Sequence, residues 1–231
     1  MTLRCNDLSF QYPGTTDGLF DGLSFTMDRP GFHALFGPSG VGKTSLARMI
    51  TGDITGYSGV LQTDGMHVLL YSYNLERLPD WSGVGKHLEK VTPSDKHSLR
   101  DDLIDAFGIR GVIRSRFSQL SLGQQNRVNL IRYLLQDFHL LIMDESLANV
   151  DERTRETILL NVKAWFPHAY FLYISHNVIE VSKFCKDILV FRDPGKTPQT
   201  VIVPGQDYGF GRELDKDRLE RTMLEVMNAA A

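Results

Sequence analysis

The chain has 231 residues, 42% of them apolar and 23% charged, which is enough apolar material for a packed core and excludes disorder as its class. A formal net charge of −3 excludes a surface devoted to neutralising phosphate backbones, so nucleic acid is not an expected partner. Cys5 and Cys185 lie far apart and form no C-x-x-C pair, so neither a zinc site nor a disulfide framework is expected, which suits a reducing compartment. The first residues carry no apolar core of signal-peptide length, and no window approaches the roughly eighteen apolar residues of a membrane span. A cytoplasmic chain is expected, reaching any membrane through a partner.

Residues 3–12 and 23–27 alternate apolar and polar at period two and predict strands, separated by the Gly-rich turn 13–18. Residues 33–36 predict a short buried strand and 44–50 a helix, which Gly52 and the Thr/Gly/Ser-rich stretch 51–59 bring to an end. From 74 to 119 the pattern turns helical and charged, and 99–107 reads as part of a small helical insertion. Beyond it, 138–143 and 170–175 are uninterrupted apolar runs, the pattern of parallel strands covered by helices on both faces. A last helix is expected over 213–229, with Leu219, Met223 and Val226 on one face. The fold class is therefore α/β, and no repeat or low-complexity segment interrupts it.

Gly37-Pro38-Ser39-Gly40-Val41-Gly42-Lys43-Thr44 satisfies G-x-x-x-x-G-K-[ST] between a predicted strand and a predicted helix. Glycines let the backbone wrap an anion closely, and the helix N-terminus adds positive potential. Lys43 would reach the β- and γ-phosphates, the Thr44 hydroxyl would ligate Mg²⁺, and Ser45 follows in the same turn. The alternative is a glycine-rich turn without a ligand, and the strand-then-helix context argues against it. The apolar run ending in Asp144-Glu145 supplies two carboxylates: Asp144 for Mg²⁺, and Glu145 for a water in line with the γ-phosphate.

Leu120-Ser121-Leu122-Gly123-Gln124-Gln125-Asn126-Arg127-Val128, just upstream, resembles the LSGGQ signature of ATP-binding cassette (ABC) ATPases. The similarity runs from Leu3 to about Phe191. It implies a P-loop NTPase of ABC type: a mainly parallel sheet core with an N-terminal antiparallel β subdomain and a helical insertion. It also implies one domain over 1–231, with 1–73 and 124–231 as the core and about 74–123 as the helical signature subdomain. In the family the signature opens a helix and offers its serine and backbone N–H groups to ATP held by another subunit, a role that falls here on Ser121, Gly123 and Gln124. Leu122 replaces a glycine, which is tolerable if its side chain points away from phosphate.

Carried over in the same way, Tyr12 would stack on adenine and His176 would be the switch histidine at the γ-phosphate. Asp151 would make the contact across the dimer. Ser146 stands where the family usually has proline, so a less stiff turn is expected. Asn74 replaces a glutamine that reaches Mg²⁺ and water; it is shorter by one methylene, roughly 1.5 Å, so either the loop moves in or a water bridges. Hydrolysis would then be slower or more dependent on a partner. Leu78, Pro79 and Trp81 offer a docking surface.

The resemblance implies ATP and Mg²⁺ as ligands, a second, identical cassette as the expected partner, and integral membrane permease subunits contacted from the cytoplasmic face. Stand-alone subunits of bacterial importers and of lipoprotein-release systems are similar in length. A soluble ABC ATPase outside transport, or a weakly hydrolysing regulatory module, is the other reading at this stage.

Overall fold

Alternation in the first strands, interrupted at a bulge, separates two sides of a small sheet. Strand β1 (Thr2–Phe10) buries Leu3, Cys5, Leu8 and Phe10, and pairs antiparallel with β2 (Phe20–Met27). The computed structural model describes residues 1–74, 76, 82–192 and 195–230. Strand β3 (Gly31–Phe36) runs into the glycine-rich loop, helix α1 (Lys43–Ile50) follows, and β4 (Ser58–Asp64) returns along the free edge of β1. The three-stranded order is β2-β1-β4. At its bulge Asp7 has φ 52°, and a Cβ on Gly59 would lie 2.2 Å from the Asp7 carbonyl oxygen, so only glycine fits there.

The second sheet is the core of the molecule. With β5 (Leu69–Tyr73), β6 (Leu140–Asp144), β7 (Tyr170–Ile174), β8 (Asp187–Phe191) and β9 (Thr200–Pro204), its order is β5-β6-β7-β3-β8-β9. All neighbours are parallel except the β8–β9 pair. Both faces are covered. Leu141, Met143, Phe171 and Tyr173 belong to one apolar cluster, whereas Leu140, Ile142, Leu172 and Ile174 belong to the other, which contains α1 and the antiparallel sheet. The uninterrupted apolar runs read in the sequence are this arrangement: consecutive residues face opposite covers.

Helices α2 (Val84–Val91) and α3 (His97–Ala106) occupy the segment after β5, and α4 (Leu122–Leu134) leads from it back to the sheet. Leu88, Leu103 and Phe107 from this segment share a cluster with Leu130 and Leu141, so the helical segment rests on the same core as the sheet. The expected docking residues Leu78, Pro79 and Trp81 lie outside the described residues. Helices α5 (Glu152–Trp165), α6 (Val178–Phe184) and α7 (Lys216–Ala230) complete the cover. The last helix starts three residues later than the periodicity predicts, because Asp215 caps it by accepting from the Arg218 N–H at 2.9 Å. Val226 is buried on it, while Leu224 and Met227 are exposed. Among the described residues no helix is long and apolar enough to cross a membrane.

Phe171 stacks on Phe32 with ring centroids 4.3 Å apart at the centre of one cluster. Phe171→Ala is expected to lower the unfolding free energy by about 3–5 kcal/mol, read from the urea midpoint at constant slope.

Candidate nucleotide site

The loop after β3 is shaped by three glycines with positive φ: Gly37 at 146°, Gly40 at 86° and Gly42 at 101°. A Cβ on Gly37 would sit 2.6 Å from the Phe191 carbonyl oxygen, and one on Gly42 would sit 2.6 Å from the Phe20 ring. Gly40 has nothing within 4 Å of the same position and faces open space. Packing thus demands two of the glycines, and the third leaves backbone accessible to a ligand. Gly42 caps α1 with no side chain of its own, so the first N–H groups of the helix remain free of side-chain capping. Lys43 is buried, and its ammonium donates to the carbonyls of Gly37 at 2.8 Å and Pro38 at 2.6 Å. Burial pushes its pKa down, and the carboxylates of Asp144 and Glu145 oppose that shift.

Asp144 ends β6 between Tyr73 and Ile174 of the neighbouring strands. Its Oδ2 accepts from Thr44 Oγ1 and from the Tyr71 hydroxyl, each at 2.7 Å. Burial, with Asp144 beside it, holds the Tyr71 pKa well above the usual phenol range, so this hydroxyl stays a donor. Glu145 follows with φ 50°, a left-handed conformation that costs a non-glycine residue about 1–3 kcal/mol. The surrounding structure holds it there, with the Glu145 N–H donating to the Ile174 carbonyl at 3.1 Å. The turn separates the two carboxylates: Asp144 stays buried, and Glu145 reaches His176, with Oε1 lying 2.6 Å from His176 Nε2. Tyr12 meets Phe10 edge-on at 4.9 Å, and its hydroxyl lies 3.0 Å from Ser45 Oγ. Tyr12, Ser39, Gly40, Lys43, Thr44, Ser45, Asp144, Glu145 and His176 line one cleft of about 460 Å³, within the ordinary range for ligand sites.

The other expected residues stand elsewhere, since none of Ser121, Gly123, Gln124, Asp151 or Asn74 lines that cleft. Ser121 caps α4 reciprocally: its Oγ accepts from the Gln124 N–H at 3.3 Å, and its own N–H donates to Gln124 Oε1 at 2.9 Å. Leu122 points outward, 49% exposed, so replacing a glycine there crowds nothing. A Cβ on Gly123, by contrast, would lie 2.1 Å from the Asn149 carbonyl oxygen. Asp151 caps α5 through the Thr154 N–H at 3.0 Å, and that bond holds its carboxyl below the usual range. Asn74 donates its N–H to the Asp144 carbonyl at 3.1 Å, while its Oδ1 accepts from Asn126 at 2.9 Å. Its amide oxygen is thus directed at α4 and away from the cleft. Ser146 is buried, donates to the Ser72 carbonyl at 2.9 Å and lies 2.9 Å from the Ser72 hydroxyl. These contacts pin the turn that the missing proline led us to expect to be loose.

A family model described as ABC transporter matches residues 20–148, more than half of the chain. The chain belongs to the ABC transporter family. It is similar to the taurine import ATP-binding protein TauB of Pseudomonas fluorescens (strain Pf-5), 30% identical over 97% of this chain and 91% of that one. It is also similar to the molybdenum import ATP-binding protein ModC of Saccharophagus degradans, 28% identical over 78% of this chain and 55% of that one. The fold matches a bacterial Atm1-family ABC exporter with ATP bound, at a TM-score of 0.72 and 21% identity, covering 82% of this chain and 37% of that one. The chain is an ATP-binding and ATP-hydrolysing subunit of an ABC transporter.

Three features of this ABC subunit went unread in the sequence. Buried Asn126 donates to both Asn74 Oδ1 and the Ala148 carbonyl, the latter at 2.8 Å, so it joins α4 to the loops after β5 and after Glu145. Glu76 is held by Arg132 at 3.1 Å and the Tyr133 hydroxyl at 2.8 Å, and its carbonyl accepts from Asn129 at 2.7 Å. Buried Glu180 accepts from Tyr173 at 2.8 Å and Asn177 at 3.0 Å beside His176, and pairs with Arg155, which donates to the Val150 carbonyl at 2.6 Å. A helical wheel carries the signal for the first two, because Asn126, Asn129, Arg132 and Tyr133 recur at three- and four-residue steps along α4.

Asn126→Ala is expected to leave two acceptors without their donor and to cost about 1–3 kcal/mol. The check is the loss of unfolding free energy in urea beside that of Glu225→Ala on α7, an exposed position whose smaller loss is the expected contrast.

Proposed function

We propose that two copies of this chain close head-to-tail around two MgATP and drive integral membrane permease subunits of an importer from the cytoplasmic face, with no nucleic-acid partner. The observation that carries the reading is the separation of two phosphate-gripping halves. Lys43, Glu145 and His176 share one cleft, while the Ser121-capped start of α4 lies outside it. A second copy related by a two-fold axis would bring its Ser121 and Gly123 to the γ-phosphate, and the symmetry would repeat the arrangement. Import ATP-binding proteins that match most of both chains support the import direction and favour transport over a soluble role.

In this reading Tyr12 offers its ring to the adenine, the residue 37–45 loop cradles the phosphates, and Lys43 leaves its carbonyl partners for the β- and γ-phosphates. Glu145 accepts the proton of the attacking water, and His176, with its Nε2 2.6 Å from Glu145 Oε1, orients that carboxylate. Thr44 and Asp144 converge as hard oxygen donors and fit Mg²⁺, so these two would hold it. The cation would offset charge on the β- and γ-phosphate oxygens. Asn74 acts through Asn126 as a link between the site and α4. Asp151 contacts the opposite copy. The helical segment over about 74–123 is the part of the chain that docks on the permease.

Glu145→Gln is expected to keep ATP binding, lose at least about 100-fold in turnover, and elute as an ATP-stabilised dimer in size-exclusion chromatography. Turnover at the parent rate would reject Glu145 as the base. Lys43→Ala is expected to abolish tight MgATP binding. Ser121→Ala is expected to bind ATP as the parent does yet fail to dimerise with it; an unchanged dimer would sink the head-to-tail arrangement.

A further inference from the structure

The tyrosine on the edge strand of the large sheet touches the site at one atom. Tyr71 sits on β5 opposite Ile142 of β6, and its hydroxyl crosses to Asp144 Oδ2 at 2.7 Å, the same oxygen that accepts from Thr44. Its half-buried ring packs against the cluster that contains α1 and runs nearly parallel to Tyr73, with centroids 5.8 Å apart. The aromatic ring is therefore held by packing, and the hydroxyl has one fixed direction. Two donors on Oδ2 hold the carboxylate against rotation, and among the described residues no donor reaches Oδ1.

We infer that Tyr71 is a positioning residue for the divalent cation: its hydroxyl fixes the Asp144 carboxylate so that the other oxygen faces the cation's place beside Thr44. A phenol suits this task where lysine or arginine would not. It donates one hydrogen bond without adding a positive charge that would compete with the cation for the same carboxylate. Partners of this kind, one bond removed from the metal, typically contribute about 10–100-fold to metal affinity. The inference rests on reading Asp144 as the metal carboxylate.

The test compares the full chain with Tyr71→Phe and Asp144→Asn, titrating Mg²⁺ against binding of a fluorescent ATP analogue and repeating the analogue titration in EDTA. Tyr71→Phe is expected to leave the EDTA affinity and the melting temperature within about twofold and a few degrees of the parent, respectively, while the Mg²⁺ concentration at half-maximal enhancement rises about tenfold. Mn²⁺ binding followed by electron paramagnetic resonance in the presence of ATP should weaken to the same extent. If Asp144→Asn shifts the Mg²⁺ titration and Tyr71→Phe does not, the role given to Tyr71 is wrong. An equal loss with and without the cation would also overturn it, by showing that the hydroxyl serves only the fold. If Asp144→Asn leaves the Mg²⁺ titration unmoved, the underlying reading of Asp144 fails and the inference falls with it.

Discussion

The register of β6, β7 and β3 is the constraint from which the site follows. These strands are neighbours, parallel, and buried on both faces, so their polar side chains gather mainly where the strands end. At one edge the chain leaves β3 into the glycine loop, β6 into Asp144-Glu145, and β7 into Ser175-His176. Groups separated by about a hundred positions in sequence thereby come within hydrogen-bond range, as Thr44 and Asp144 do. The left-handed turn at Glu145 then splits two adjacent carboxylates between a buried position and a half-exposed one. Packing energy from the two apolar clusters holds that local strain in place.

Helix α4 adds a second layer of order. One side buries Val128, Leu130, Ile131 and Leu134 in the core, and another carries Asn126, Asn129, Arg132 and Tyr133, whose donors meet Asn74, Glu76 and Ala148. Each of these contacts ends on a loop that leaves the sheet beside the nucleotide cleft. The loop after β7 is braced separately, since Glu180 gathers Tyr173, Asn177 and Arg155, and Arg155 reaches back to Val150. Most polar groups at this depth meet partners, Arg132 Nε and Arg155 Nε being left without one, and removing a member exposes the rest to a desolvation cost.

Much of this was legible before the coordinates. The glycine-lysine motif, the acidic strand end and the apolar runs each carry a local physical signature, and Gly40, Gly42, Lys43, Thr44, Asp144, Glu145 and His176 do line one cleft. Tyr71 was not legible, because nothing in its neighbourhood distinguishes a tyrosine that reaches a carboxylate from one that fills space. Asn74 was read by its place in a familiar order, and its amide turned instead to Asn126, a partner 52 positions away. Ser146 illustrates the same limit. A missing proline suggested slack, yet the bonds from its hydroxyl to Ser72 depend on a strand that the periodicity did not single out. Contacts between elements decide such cases, and single-sequence patterns carry none of them.

The close approach at Gly123 has a mechanical meaning. Backbone rests directly on backbone there, with no side chain between the start of α4 and the Asn149 carbonyl to deform or change rotamer. Tilting the serine-bearing end of the helix toward that carbonyl would press on the 146–151 segment, which begins at the residue after Glu145. Pressure on the helical part of the chain from outside would thereby reach the segment that follows Glu145.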